Sequence, residues 1–305
     1  LADPDLQVVD CRWRGDLSSR ALYGAGHLPG AVPLDWQHDF GETRDGVRDM
    51  LLLPADFAQL MASRGIGAET PVVAYAESDH SGAARLWWAL RAYGHNNVAV
   101  LNGGFTKWQA ERRPIETGLG RFAAFGRAGL NGHHADSFVS RPQPGWIATG
   151  EDVAAALHPG GPILIDTRPP EQYRGEAVWT PLGSAYLAAG CGCIDVGGRI
   201  PTRGGCIPGS RHWHALSLYR PGPWTFRPAS ELSQIAAGLG LTPDDSLITY
   251  CGGGISACAV LFALRLIGFP RVALYDGSWD EWGTDPERPI EVVRDRGQRT
   301  EDGRS

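Results

Sequence analysis

One cysteine in this chain stands where cysteines do chemistry. Leu247-Ile-Thr-Tyr-Cys251-Gly-Gly-Gly-Ile-Ser-Ala-Cys258 is a short apolar run that ends in a thiol and three glycines. Leu247 to Tyr250 is β-branched and aromatic, as a buried strand requires. From Ser256 to Ile267 the apolar residues Ala257, Val260, Leu261, Leu264 and Ile267 recur at helical spacing. Cys251 is therefore expected on a tight strand-to-helix turn. Glycines let such a turn bend and aim several N–H groups inward, forming an anion-binding nest above a helix N-terminus. The residues expected to build the nest are Gly252, Gly253, Gly254, Ile255, Ser256 and Ala257. A thiol held there is expected to act as a thiolate nucleophile near neutral pH. The competing place for any cysteine is the inert core, and Cys258, inside the following helix, fits that description.

The elements that must position this turn occur twice. Leu6–Asp10, Val72–Ala76 and Val98–Leu101 read as strands, and Pro54–Arg64 and Ser81–Tyr93 read as helices. Strands alternating with helices predict an α/β fold with a mainly parallel sheet. In the second half, Ile163-Leu-Ile-Asp166-Thr-Arg168 answers Val8-Val-Asp10-Cys-Arg12, and Cys206-Ile-Pro-Gly-Ser210 answers His27-Leu-Pro-Gly-Ala31. Val272 to Trp282 likewise answers Val98 to Trp108. Several distinct motifs repeated in one order indicate a tandem duplication. The first copy has Ala76 where the second has Cys251, and Glu77 and Asp79 follow it. That loop has no nucleophile and repels anions, which makes the first domain a scaffold. The expected divisions are 1–117, a linker at 118–147, a catalytic domain at 148–297 and a polar tail at 298–305.

Composition narrows the function classes. The chain has 305 residues, a net charge of -6 and six cysteines, namely Cys11, Cys191, Cys193, Cys206, Cys251 and Cys258. Acidity argues against nucleic acid as a partner, and no apolar run reaches the length of a membrane span. Cysteines this sparse are not a disulfide scaffold and suit a reducing cytoplasm. No basic-then-apolar signal segment opens the sequence as given, which starts at Leu1.

Together, Tyr23-x-x-x-His27-Leu-Pro-Gly-Ala31, the Cys251 loop and Tyr275-Asp-Gly-Ser-Trp279-Asp-Glu-Trp282 resemble the two-domain rhodanese-type sulfurtransferases, the thiosulfate and 3-mercaptopyruvate sulfurtransferase family. The resemblance covers nearly the whole chain. It implies two tandem rhodanese-like domains, the second catalytic, and ping-pong sulfur transfer through a Cys251 persulfide without metal or other cofactor. The implied partners are a small sulfur donor and a thiol, cyanide or thioredoxin-like acceptor. Thiosulfate-type members carry basic residues just after the cysteine, whereas Gly252 and Gly253 are uncharged, so the loop is closer to the mercaptopyruvate branch. That branch places Ser where Gly253 stands, and an Arg-aromatic-Arg-Gly stretch where this chain has Gln172-Tyr-Arg174-Gly. Arg174, Arg199 and Trp279 are the expected substrate-binding residues.

An insertion at 177–204 separates the copies further and carries Trp179, Tyr186, Cys191, Cys193 and Arg199. Cys191-Gly-Cys193 with Cys206, His212 and His214 offers soft ligands, but the Cys-x-Cys spacing is too short for a zinc ribbon. The expected role is a lid over the Cys251 pocket. His27 reads as a turn-stabilising residue, and Asp10 and Asp166, each two residues before an arginine, read as loop-holding charge pairs. Two rival functions are weighed. A cysteine phosphatase or arsenate reductase needs Cys-x5-Arg, and that position is Ala257. A non-catalytic binding or thiol-sensing module needs no nucleophile, yet the cysteine is retained.

Overall fold

Each half of the chain folds around one parallel sheet. The computed structural model describes residues 5–13, 19–36, 38–77, 79–120, 138–180, 183–186, 193–194 and 202–293. In the first domain the elements are β1 (Gln7–Asp10), α1 (Ser19–Ala25), β2 (Val32–Pro33), β3 (Gly41–Arg44), β4 (Val47–Leu51), α2 (Pro54–Ser63), β5 (Val72–Tyr75), α3 (Ser81–Ala92), β6 (Val98–Val100) and α4 (Gly104–Ala110). In the second they begin with β7 (Ile147–Ala148), α5 (Gly150–Ala156), β8 (Ile163–Asp166) and α6 (Pro170–Tyr173). Short strands β9 (Ala177–Thr180), β10 (Gly183–Tyr186), β11 (Cys193–Ile194) and β12 (Thr202–Arg203) fall in the insertion, and β13 (Arg211–His212) follows it. The chain then runs through β14 (Tyr219–Arg220), β15 (Thr225–Phe226), α7 (Ala229–Gly238), β16 (Leu247–Tyr250), α8 (Ser256–Leu266), β17 (Val272–Tyr275) and α9 (Ser278–Trp282).

The strand order is β2-β1-β5-β6 in one sheet and β13-β8-β16-β17-β7 in the other, with parallel pairing throughout. Near-continuous apolar runs such as Ile163–Ile165 and Leu247–Tyr250 are what a parallel sheet covered on both faces demands. The motif after each central strand, Cys251 after β16 and Ala76 after β5, lies at the carboxyl edge of its sheet, where open α/β sheets place their ligands.

Helices α3 and α8 pack against each other and join the two halves. All residues of α3 except Ser81 and Arg91 are buried, as is α8 from Ala257 to Leu264. Helices apolar on every side have to be enclosed by other elements. Each is followed, two residues on, by a glycine with positive φ, Gly94 after α3 (φ 89) and Gly268 after α8 (φ 92). There the 6→1 bonds His95 N–H to Leu90 O and Phe269 N–H to Leu264 O close the last turn. Trp87 meets Phe262 edge-on at 4.9 Å, and Phe262 meets Phe226 at 5.3 Å. One continuous apolar cluster therefore crosses both domains.

Two antiparallel hairpins that the sequence reading did not anticipate complete the contact. β3–β4 of the first domain reaches the Cys251 loop, where the Leu51 N–H donates to Asp276 Oδ2 at 2.8 Å. β14–β15 of the second domain reaches the Ala76–His80 loop, where the Phe226 N–H donates to Asn102 Oδ1 at 2.9 Å. The offset that relates Trp108 to Trp282 also relates Asn102 to Asp276, so the two docks are pseudo-symmetric. The silent loop is thus covered as well: His80 is buried, stacks on Phe226 and shares its Nε2 with the Trp224 carbonyl at 2.7 Å. The end of the linker seals the first domain, with Phe138 against Phe57 and the Trp88 indole N–H donating to Trp146 O. Residues 121–137 of the linker and the tail at 298–305 lie outside the described residues. No described helix is long and apolar enough to cross a membrane.

Because the shared core is continuous, the protein should unfold in a single calorimetric transition, with van't Hoff and calorimetric enthalpies equal. Phe262→Ala should cost about 3–5 kcal/mol and lower that single transition. Two separated transitions would mean that each half is stable on its own and that this contact does not couple them.

Candidate active site

Cys251 follows β16 directly and is buried. Its N–H donates to Ser278 Oγ at 3.1 Å, and Ser278 Oγ donates to the Tyr275 carbonyl at 2.8 Å. The Cys251 carbonyl accepts from the Trp279 N–H at 3.0 Å, and the Gly252 carbonyl accepts from the Asp280 N–H at 2.8 Å. The Gly254 carbonyl accepts from Cys258 Sγ at 3.2 Å and from Arg85 Nη1 at 3.3 Å. All described peptide bonds are trans, so a carbonyl and the N–H that follows it point opposite ways. Three carbonyls held outward therefore turn the N–H groups of Gly252, Gly253 and Ile255 to the concave side of the turn. Among the described residues nothing accepts from the N–H groups of Gly252, Gly253, Gly254 or Ile255. Unpartnered donors at the N-terminus of α8 are the arrangement that suits an anion. Of the loop glycines, Gly254 needs its residue type most: its φ is 79, and a Cβ would meet the Asp276 carbonyl at 2.7 Å.

The first domain reaches into this site. Arg85, on α3 and 1% exposed, pairs with Asp276 at 2.5 Å. Arg48, on β4, holds Asp280 through its N–H, Nε and Nη2 at 2.9, 3.2 and 2.7 Å. Asp49 has a left-handed backbone (φ 59), and its Oδ2 lies 3.3 Å from where a Gly253 Cβ would stand. Burial pushes the Asp49 carboxyl above its ordinary value, against the pull of Arg85 and Arg48. Arg85, Arg48 and Asp49 were not among the expected site residues. For Arg85 the signal existed: a lone cation inside Gly82-Ala-Ala-Arg-Leu-Trp-Trp-Ala is a charge in a buried helix, which requires a buried partner.

The expected residues divide three ways. Trp179 sits on the loop, since a Cβ on Gly252 would fall 1.9 Å from its Nε1, and the Arg48 guanidinium lies 5.0 Å from its ring. Trp279 does not line the pocket. It is fully buried behind the loop, its indole N–H donates to the Arg203 carbonyl at 3.0 Å, and Arg168 stacks on it at 4.0 Å. Arg174 is engaged by Glu176 at 2.6 and 2.8 Å on the surface. Arg199 and Cys191 lie outside the described residues.

The loop-holding pairs are present: Arg168 Nη2 meets Asp166 Oδ2 at 2.6 Å and Arg12 Nη2 meets Asp10 Oδ2 at 2.7 Å, all four side chains buried. His27 is buried, stacks on Tyr23 and contacts the Tyr23 carbonyl at 2.9 Å, a turn-stabilising role. Burial pushes the Cys206 thiol up to about 11 and the Cys258 thiol up to about 12, and Cys11 also well up. These three stay protonated at neutral pH and are poor nucleophiles. Iodoacetamide should therefore modify Cys251 before Cys11, Cys206 or Cys258, as read by peptide mass mapping. Trp179→Ala should speed labelling of Cys251 several-fold by uncovering Gly252; an unchanged rate would remove Trp179 from the lid.

Comparisons with known proteins show the family to which this chain belongs. The model of the rhodanese-like domain matches residues 1–111 and 149–285. The sulfur carrier protein TtuD of Thermus thermophilus is 32% identical over 287 residues, covering 93% of this chain and 90% of that protein. The 3-mercaptopyruvate sulfurtransferase of Escherichia coli is 30% identical over 298 residues, covering 96% and 95%. The crystal structure of SseA from Escherichia coli, described as a 3-mercaptopyruvate sulfotransferase, superposes with a TM-score of 0.72 at 29% identity, covering 91% of this chain and 94% of that one. With the family's model matching both halves and relatives of this identity spanning nearly the whole chain, this chain is a two-domain sulfurtransferase of the rhodanese-like family.

Proposed function

We propose that Cys251 carries the transferred sulfur as a persulfide, taking it from a keto-acid thiol of the mercaptopyruvate type in preference to thiosulfate. The observation that carries the Cys251 step is the set of unpartnered N–H groups around a thiol at a helix N-terminus. The Cys251 thiolate attacks the sulfur of the keto-acid thiol. A new S–S bond forms as the sulfur–carbon bond breaks, its electron pair leaving on the carbon as the enolate of the remaining keto acid, which takes up the proton given up by the donor's thiol. The persulfide's terminal sulfur bears negative charge, which the N–H groups and the helix dipole stabilise without reorganising. An acceptor thiolate or cyanide then attacks that sulfur and releases the Cys251 thiolate. A low-molecular-weight thiol or a thioredoxin-like protein suits the acceptor role. The four cysteines described as free and buried suit a reducing compartment such as the cytoplasm.

The donor preference rests on charge. The turn from Gly252 to Ala257 carries no cation, and the Asp49 carboxyl leans over Gly253. A compact dianion gains less from such a site than a donor with one carboxylate held further from the sulfur.

Treatment with donor should add about 32 Da, one sulfur atom, to the peptide containing Cys251, and Cys251→Ser should abolish the adduct. An adduct on another cysteine would reassign the nucleophile. In a thiocyanate-formation assay kcat/KM should be higher with mercaptopyruvate than with thiosulfate. Gly253 has no left-handed backbone, and what a Cβ would meet most closely is the end of the Asp49 side chain at 3.3 Å, so Gly253→Lys should raise kcat/KM for thiosulfate about tenfold by charge attraction. Thiosulfate as the better donor of the unmodified protein would contradict the preference.

A further inference from the structure

The two halves dock on each other in the same way, yet the two hairpin N–H groups meet different acceptors, a neutral amide on one side and a carboxylate on the other. On the silent side the hairpin N–H of Phe226 is received by the neutral Asn102. On the catalytic side the hairpin N–H of Leu51 is received by Asp276, whose other oxygen is held by Arg85 at 2.5 Å. The offset that relates Asn102 to Asp276 relates Arg85 to Ala259. Docking a hairpin thus requires only a neutral acceptor, and the buried Arg–Asp pair is an addition confined to the side with the thiol. Burying a charge pair costs desolvation that packing alone does not need.

The pair's geometry shows what it adds. Arg85 Nη1 reaches both Asp276 Oδ1 and the Gly254 carbonyl at 3.3 Å, and Nη2 reaches the Asp49 carbonyl at 2.7 Å. The guanidinium lies 4.5 Å from the Trp88 ring, which fixes its plane. The Cys251 and Gly252 carbonyls are held by main-chain N–H groups of the second domain's own α9. Gly254 is held by Arg85 from the other domain, assisted by Cys258. A Gly254 carbonyl held there fixes the direction of the Ile255 N–H across the same peptide plane.

We propose that Arg85 of the non-catalytic domain is a positioning residue for sulfur transfer: it holds the Gly254 carbonyl outward so that the Ile255 N–H faces the sulfur on Cys251, and Asp276 holds Arg85 in place. The inference rests on Cys251 as the sulfur carrier. It makes the first domain part of the catalytic apparatus through a side chain that touches neither substrate nor sulfur.

The test replaces the pair by neutral groups, as in the silent half. Arg85→Met alone leaves Asp276 charged and buried, so the informative protein is Arg85→Met with Asp276→Asn, in which the hairpin keeps an acceptor. It should fold, with a single thermal transition. Its kcat should fall about 100-fold, the loss that follows removal of one preorganised donor, while KM stays within a few-fold. Iodoacetamide should alkylate Cys251 several-fold more slowly in the folded double variant. Arg85→Lys should recover only part of kcat, because one ammonium cannot span Asp276 and both carbonyls. A folded double variant with unmodified kcat and an unmodified alkylation rate would overturn the proposal. So would a loss of kcat that follows the loss of folded protein while the folded fraction is alkylated at the unmodified rate. Cys251→Ser run in parallel separates the two readings: if it still forms persulfide, the carrier assignment fails; if it does not while the double variant is fully active, only the role of Arg85 fails.

Discussion

A backbone turn can hold an anion only if its carbonyls face away, because every carbonyl turned inward replaces attraction by repulsion. The rest of this structure is arranged around that constraint at Cys251. Trp279, Asp280, Cys258 and Arg85 each bind one carbonyl of the turn from outside. The motif Tyr275 to Trp282 therefore acts less as a pocket wall than as a frame. Its main chain wraps the turn, its Ser278 hydroxyl receives the Cys251 N–H, and its Trp279 ring packs behind the turn with Arg168 stacked on it.

Duplication supplied a second domain, and the fold uses it at close range. The β3–β4 hairpin of the first domain and Trp179 of the second meet over the glycines of the Cys251 loop, with Arg48 stacked on Trp179 and paired to Asp280. The reciprocal hairpin β14–β15 covers the loop that has Ala76 in place of a cysteine. There the interior is filled by His80, Tyr219 and Phe226, and burial pushes the His80 ring below its ordinary value, which favours the neutral form. One half of the pseudo-symmetric pair is closed by packing, while the other keeps donors free. The difference follows from a few side chains at matched positions.

Buried ion pairs recur at each of these junctions: Asp10 with Arg12, Asp166 with Arg168, Asp276 with Arg85. As sources of stability such pairs are weak, since desolvation offsets most of their attraction. They are directional, however. Arg12 also holds the Gly26 carbonyl at 2.5 Å and Arg168 the Gly205 carbonyl at 2.6 Å, each tying the first strand to the turn that follows. A cation with a fixed fork orients a loop in a way that an apolar contact of equal size does not.

By itself the sequence determined whatever is local or repeated. The strands before Ala76 and Cys251, the helices after them, the glycine turn and the paired Asp-x-Arg motifs depend on neighbours along the chain, so their residues carried enough pattern to be read. Trp279 was expected in the pocket and is buried instead, because the type and spacing of an aromatic residue do not tell which side of a turn its ring packs on. Hairpins β3–β4 and β14–β15 were missed because their short strands are half-exposed and lack a clean alternation. The tertiary structure alone decided that Arg85, Arg48 and Asp49 stand at Cys251, some 170 to 200 positions away along the chain. Their partners are backbone carbonyls and two aspartates brought near by the α3–α8 contact, and proximity set by packing between domains leaves no periodic trace in either segment.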